Sequence, residues 1–511
     1  MMKDWTTMRK RRAAFFLLFL LALVGTLIFC RQLEEKICMD VPILSEQEQA
    51  KLGRYAEKNL SWELLHNGQL AAVDQHTDTV YISQDIRPGM KPEDLLGSLG
   101  TVSASIRLSF APDGAFGDLA AAVEAGHVFK LNAEYGSDKY TQYDLVFTTL
   151  PVLRIDGEAI AKNEKGKAIC DGTMCLWDPG DPETGRYSVK HSDALWHVRG
   201  GWSATLEKTP FKLDLKDKNG ENKNLSLMGL GADDDWILNP MNLDDTKLKE
   251  KLFMGLWNQR ADQTDWNAPM SEGRYVEAVI NGEYWGLFQL QRRIDEKFLD
   301  LKGEDILLKS SSDANPTTPQ SAYEIICSGL PEGETYRLVE DYFYGRDGEM
   351  PCMDNFLDVN LFLQCASAMD NRLKNMFYLM KKEDDGYRMH LLPWDTDMSW
   401  GVTTHFAYDF EGSRQNVVLR EEYAWMRQYH PDLDRQMAKR WLELRESLLT
   451  METMTAIVQR EAQILQRSGV RQREETRWGL HYEGRDSLEN LYKSLEARLA
   501  WVDAYYSQYL S

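Results

Sequence analysis

The sequence predicts an α+β protein with a helical C-terminal region, preceded by a small β-rich module and an N-terminal membrane-spanning helix. Three observations carry this. Residues 13–30 form one uncharged apolar run. Residues 77–144 hold short β-rich runs separated by Gly, Pro and Asp, as strands and turns require. From residue 405 onward apolar residues recur at helical spacing, after a stretch of mixed strands and helices that begins at 145. Composition agrees with a folded chain: of 511 residues, 43% are hydrophobic and 27% charged, and 15 Trp, 22 Tyr and 18 Phe can fill a sizeable core. Lys and Arg number 59 against 80 Asp and Glu, a formal charge of −21. A duplex binder needs a basic footprint, so nucleic acid is not an expected partner.

Taken in order, the chain opens with a short tail, 1–12, ending in Arg9, Lys10, Arg11 and Arg12. Ala13 to Cys30 is 18 residues without a charge, just long enough to cross hydrocarbon. Only Arg31 follows directly, so the charge bias keeps the tail cytoplasmic and sends the rest outside. A cleaved signal would want a small-x-small site near Phe29–Arg31, and a lipoprotein site at Cys30 would want a small residue where Phe29 stands. The expectation is an uncleaved signal anchor with an extracytoplasmic main domain. Residues 31–76 are polar and helix-prone, notably Ser45–Leu65, and read as a helical stalk. Thr79–Ser83, Ser105–Phe110 and Val128–Tyr135 are the strand-like runs of the β-rich module, 77–144. The main domain, 145–511, starts with the apolar strand and turn of Val146–Gly157. It ends in a helical part, 405–511, with amphipathic runs at Arg435–Leu449 and Ser487–Tyr506. Seven cysteines are too few for a disulfide scaffold; Cys170 and Cys175 bracket a turn and stand as a disulfide or as free thiols.

The chemistry concentrates between Asn355 and Gly401. Phe356–Met369 has the apolar density of a buried helix and ends in a polar loop, Asp370 to Asn375. Two strands follow, Asn375–Lys381 and Tyr387–Pro393, with Asp384-Asp385-Gly386 as turn residues, and then Trp394-Asp395-Thr396-Asp397. Pairing Lys381 with Tyr387 puts Asn375 opposite Pro393, so Asp370, Asn375 and Asp395 should meet at one mouth of the hairpin. Phosphoryl transfer needs such a set: a carboxylate to take or orient the proton of the nucleophile, and an Asn with a second Asp to hold Mg²⁺ against phosphates. Asp370 is therefore the candidate catalytic base. Asn375, Asp395 and Asp397 are the candidate Mg²⁺ ligands, since two acids after an apolar strand are costly unless they hold a cation or cap a helix. Protein kinases use an Asp-x-x-x-x-Asn, hairpin, Asp order, although here no His-Arg precedes Asp370 and Trp-Asp-Thr-Asp replaces Asp-Phe-Gly.

These motifs, with others in order along the chain, resemble the CotH kinase family, the spore coat protein H group of atypical kinases, over roughly 148–506. The resemblance rests on Leu150–Gly157, Arg199-Gly200-Gly201-Trp202-Ser203, Lys208, Pro210, Phe211 and Lys212, Asp235–Leu238, and Tyr275–Gly286 with its Asn281-Gly282 turn. It continues in Asn375, Tyr378 and Leu379, then Pro393, Trp394, Asp395, Asp397 and Gly401. It implies an atypical protein-kinase-like fold, ATP and Mg²⁺ as cofactors, and nucleotide contacts from Arg199, Ser203, Lys208 and Lys212. It also implies a protein substrate, with a Ser-rich coat or surface protein as the partner type. One departure is Arg292, where family members often carry a Glu that would pair the nucleotide-binding lysine; Gln289 and Glu283 are the nearby substitutes. Lys309 falls where the family often has a lysine.

Three functions remain in view: a membrane-anchored kinase moving phosphate from ATP to a protein or surface component, a non-catalytic surface or coat-assembly protein on the same fold, and a metal-dependent glycosyltransferase reading Asp395-Thr396-Asp397 as its metal motif. The anchor can be checked directly. The full-length chain should fractionate with membranes, and removal of residues 1–31 should release a soluble protein. A mature N-terminus near Cys30 would contradict this.

Overall fold

The computed structural model describes residues 41–510, except 96–97, 137, 159–169, 181–184, 267, 312–318, 344–350, 405–406, 411 and 413–414. The expected tail and membrane helix, 1–30, lie outside these residues. No helix among the described residues is long and apolar enough to cross a membrane.

The expected helical stalk is corrected by the structure. Within 41–76 the α-helix is a single turn, Glu46–Gln49, capped reciprocally by Ser45 and Glu48. The residues after it join sheets instead. Arg54–Tyr55 lies parallel to Lys139–Thr148, Leu64–His66 pairs with Leu99–Thr101, and Ala72–Asp74 pairs with Thr79–Ser83. Leu60 and Leu64 are buried in one core with Val80, Ile82, Phe129, Leu145 and Phe147. Burying such side chains outweighs the small helix preference of the polar residues between them. The β-rich module thus begins before residue 77, and its last strand runs on to Thr148.

Seven strands then close into a barrel: β1 (Val152–Gly157), β2 (Cys170–Asp178), β3 (Ser188–Val198), β4 (Phe211–Lys216), β5 (Asp235–Asn239), β6 (Gly273–Ile280) and β7 (Glu283–Arg292). The order is β1-β2-β3-β4-β5-β7-β6, and β6 returns to β1 in parallel, Val152 opposite Glu277. Alternation sends Phe211, Leu213 and Leu215 inward, where they meet Trp196, Trp236, Phe288 and Leu290. The expected Asn281-Gly282 turn links β6 to β7, with φ of 51° and 72° at the two residues. Cys170 and Cys175 are both free thiols. They stand five positions apart on β2, roughly 16 Å at strand rise, beyond disulfide reach.

Helix α1 (Lys249–Ala261) leaves the barrel into a second, larger core. That core is built on the sheet of β8 (Ile306–Ser310), β9 (Tyr323–Ser328), β10 (Met376–Glu383) and β11 (Gly386–Pro393), ordered β9-β8-β10-β11. Around it lie α2 (Met353–Ala366) and the C-terminal helices α3 (Leu433–Ser447), α4 (Met451–Arg467), α5 (Val470–Trp478) and α6 (Leu488–Ser507). Apolar faces of α3, α4 and α6, through Trp441, Ile457, Val458, Leu495 and Val502, complete the core.

Buried ion pairs fasten this helical layer to the barrel: Arg473 of α5 reaches Glu277 of β6 at 2.6 Å, and Lys208 reaches Glu474. Lys208, in the β3–β4 loop, is 4% exposed, and its Nζ donates to Glu474 Oε1 of α5 and to Leu287 O of β7, each at 2.5 Å. Glu474 Oε2 accepts the Leu287 N–H at 2.8 Å. Gly286 is obligatory beside it, because a Cβ there would lie 2.3 Å from Glu474 Oε2 at a φ of +79°. Burial pulls the Lys208 ammonium down to about 8 although Glu474 opposes the shift. Removing one partner of such a pair strands the other charge in the interior. Lys208→Ala should therefore cost about 3–5 kcal/mol in equilibrium urea unfolding, with a smaller loss for the more exposed Lys212→Ala. The double variant Lys208→Met/Glu474→Gln should recover part of the deficit; equal losses for Lys208→Ala and Lys212→Ala would contradict the tether.

Candidate active site

The hairpin β10–β11 forms as expected, with a register one residue away from the expectation. Met376 pairs with Pro393 and Lys382 with Tyr387, so Asn375 is not opposite Pro393 and Lys381 does not face Tyr387. The cause is the turn: Gly386 is still in the ladder, opposite Glu383, which leaves only Asp384-Asp385 as a two-residue loop. The mouth survives the slip, because the Trp394 N–H donates to Asn375 O at 3.0 Å just past the last pair.

Asp370, Asn375 and Asp395 do come together there. Asp370 sits in a 3₁₀ turn, Met369–Arg372, after α2 ends in a left-handed Ser367. Asn375 Nδ2 donates to Asp370 Oδ2 at 2.7 Å, and Lys374 Nζ lies 3.1 Å from Asp370 Oδ1. Asn375 and Asp395 both adopt φ of +56°. Such conformations cost of order 1–3 kcal/mol each and persist only where surroundings impose them. The loop after Asp395 is pinned by the Trp400 N–H on Ala366 O at 2.8 Å. Asp370, Asn375, Asp395 and Asp397 line one cavity of about 1080 Å³, between the barrel and the hairpin sheet.

The barrel contributes the opposite wall. Arg199 leaves β3 with its N–H on Pro210 O at 3.0 Å, and its guanidinium lies 5.8 Å from the Trp394 ring centre. Gly200 has φ of +91°, and a Cβ there would stand 2.5 Å from Ser203 Oγ, so the loop can fold over the cavity only with glycine. Arg199, Gly200, Gly201 and Ser203 line the cavity from this side, and Lys309 of β8 joins them. Lys309 was legible only as a lysine at a family position.

The electrostatics divide by sign. Burial raises the Asp395 carboxyl, the Arg199 charge opposes that shift, and Asp370 adds to it. Asp397 is pushed well up by burial and then by Asp395. Behind them Glu250, in the first turn of α1, is pushed well up by burial and by both aspartates. Its Oε2 accepts from Asn239 Nδ2 at 2.7 Å, while Oε1 is buried without a partner. Burial lowers Arg199 and Lys309, and the charge of Asp395 works against that in both. Crowded carboxylates facing cations suit a divalent ion with a polyanion. Among the described residues no group of three or more His, Cys, Asp or Glu could enclose a metal unaided. Mg²⁺ is usually bound by one or two carboxylates with substrate phosphates and water. Asp395, Asp397 and the free Oδ1 of Asn375 are the fitting donors.

Two expected residues lie elsewhere. Lys208 is absent from the cavity lining and buried against Glu474, and Lys212 is held by Asp214 at 2.6 Å and Asp235 at 3.1 Å. Lys212 reaches only a smaller recess of about 400 Å³ behind Arg199 and Trp394. The loop fold accounts for both: Lys208 precedes β4 and turns toward α5, while Lys212 shares a barrel face with two acids. Arg292, at the position of the family's Glu, binds Asp233 at 2.8 Å, and neither Gln289 nor Glu283 meets Lys208. The carboxylate that pairs Lys208 is Glu474, 266 residues away. Sequence reasoning missed Glu474, Glu250 and Asn371; only Asn371 carried a local signal, lying in the polar Asp370–Asn375 loop.

No curated protein matches the chain. Residues 196–325 and 353–502, more than half of it, match the family model described as CotH kinase protein. These segments contain the glycine loop, Lys309, the hairpin and the whole acidic mouth, and the chain belongs to the CotH kinase protein family.

Proposed function

We propose that this protein is a membrane-anchored atypical kinase that transfers the γ-phosphoryl group of ATP to a hydroxyl of a protein or surface component outside the cytoplasm, in spore coat or cell-envelope assembly. Family membership implies an atypical kinase and ATP use. The observation that carries the finer reading is the Asp370–Asn375 hydrogen bond at 2.7 Å in the same cavity as Asp395, Asp397, Arg199 and Lys309. A glycosyltransferase built on Asp395 and Asp397 alone leaves the Asp370–Asn375 pair without a task.

In this reading Arg199 and Lys309 bind the phosphates, with the Gly200–Ser203 loop covering them. Asp395, Asp397 and Asn375 would hold Mg²⁺, which would supply the positive charge that phosphoryl transfer needs against the phosphates. Asp370, fixed by Asn375 and Lys374, orients the acceptor hydroxyl and takes its proton. The acceptor oxygen forms a bond to the γ-phosphorus as the bond to the β–γ bridging oxygen breaks, and ADP departs with that electron pair. A Ser-rich partner supplies the hydroxyl, and the anchor holds the enzyme beside it.

The roles separate by mutation. In the detergent-solubilised full chain, Asp395→Asn should lose Mg²⁺-dependent ATP binding together with transfer, since a neutral amide holds Mg²⁺ poorly. Asp370→Asn should keep ATP binding and lose transfer by ~10²-fold or more, the usual scale for a general base. Calorimetric ATP titrations and label transfer read both. If both variants bind ATP as the parent does, the metal site lies elsewhere and the non-catalytic reading takes its place.

A further inference from the structure

Asn371 is completely buried, and its side chain bridges the two halves of the acidic mouth. Its single amide nitrogen donates twice, to Asn375 O at 3.0 Å and to Trp394 O at 2.8 Å. One carbonyl belongs to left-handed Asn375 and the other to Trp394, directly ahead of left-handed Asp395. Asn371 in turn is held from the C-terminal region: Arg420 Nη1 donates to its carbonyl at 2.6 Å. Arg420 is 3% exposed and fixed on every side. Its Nε and Nη2 reach the Glu422 carboxylate at 3.1 and 2.8 Å, Nη2 also meets the Tyr378 hydroxyl, and its backbone N–H donates to Asn360 Oδ1 at 2.8 Å.

We propose that Asn371, braced by Arg420, is a positioning residue that holds Asn375 and Asp395 at the spacing their shared cation needs. The inference rests on the kinase reading for the identity of the cation and on the hydrogen bonds alone for the latch. The two strained points flank the hairpin strands and are joined by one backbone bond, the Trp394 N–H on Asn375 O at 3.0 Å; the Asn371 amide adds a side-chain clamp that fixes both carbonyls from one group. Asn371 supplies two donors from one rigid amide, which neither Asp nor Ala can do. Without it the Trp394 carbonyl loses its side-chain donor, and the start of the loop bearing Asp395 and Asp397 is held to Asn375 by the Trp394 N–H alone. Neither Asn371 nor Arg420 lines the cavity, so the effect must pass through the backbone.

The test compares two buried asparagines that both bond to this hairpin. Asn355 caps the middle of β11, donating to Leu391 O at 3.1 Å and accepting the Leu391 N–H at 2.6 Å, away from the mouth. In the full-length chain, Asn371→Ser should raise the Mg²⁺ concentration for half-maximal ATP binding by at least ~10-fold. Asn355→Ala should lower the melting temperature and leave that concentration unchanged. Hydrogen exchange without any ligand gives an independent arm: Asn371→Ser should speed exchange over 394–397, and Asn355→Ala should not. Equal Mg²⁺ requirements for Asn371→Ser and parent, or unchanged exchange at 394–397, overturn the latch. If the parent binds no ATP, the kinase reading fails while the exchange arm still decides the latch.

Discussion

Carboxylates crowded at low solvent access are the constraint on which the rest depends. Burial raises the proton affinity of Asp395, Asp397 and Glu250 before any neighbour does; Asp370 then adds to Asp395, Asp395 to Asp397, and both aspartates to Glu250. The protein answers with cations carried by different parts of the fold: Arg199 from the barrel loop, Lys309 from the sheet, and the fully buried Lys249 of α1 beside Asp486 at 2.6 Å.

The architecture follows from the need to face these charges across one gap. A closed barrel gives the β3–β4 loop a rigid base, and glycine at 200 lets that loop turn back on Ser203. The four-stranded sheet brings Lys309 alongside the hairpin, Lys309 opposite Phe377. The helical layer closes the far side, and the segment that leads into it sends Arg420 inward to the loop that carries Asp370. Lys208 and Glu474 bolt that layer to the barrel, away from the gap. The Lys208–Glu474 pair therefore serves the fold, whereas the cavity is lined by Arg199, Lys309 and Lys374, the last paired with Asp370.

How much of this was legible depends on the range of the interaction. The hairpin was, because its alternation, its acidic turn and the Trp394–Asp397 run all lie within about thirty residues. Its register was off by one because the three candidate turn residues do not say whether Gly386 turns or pairs, and a one-residue slip changes every opposition. The helical stalk was misread because polar residues such as Glu46 to Lys51 favour helix locally, while the fate of Leu60 and Leu64 is set by strands up to eighty residues away. Barrel closure, β1 on β6, and the Lys208–Glu474 pair are long-range in the same sense. Local pattern carries no information about them. The site was legible to the extent that its members are near in sequence: Asp370, Asn375 and Asp395 were found together, while of the expected nucleotide contacts Arg199 and Ser203 line the cavity and Lys208 and Lys212 do not.

The central claim is that this acidic mouth is completed by Mg²⁺ and the phosphates of ATP. The most direct measurement is the melting temperature of the full-length chain with ATP, with Mg²⁺, and with both, since a ligand that binds only the folded state raises it. The account predicts a rise with both together that exceeds either alone and disappears when the metal is chelated. No rise, or the same rise with ATP in the presence of a chelator, would contradict it.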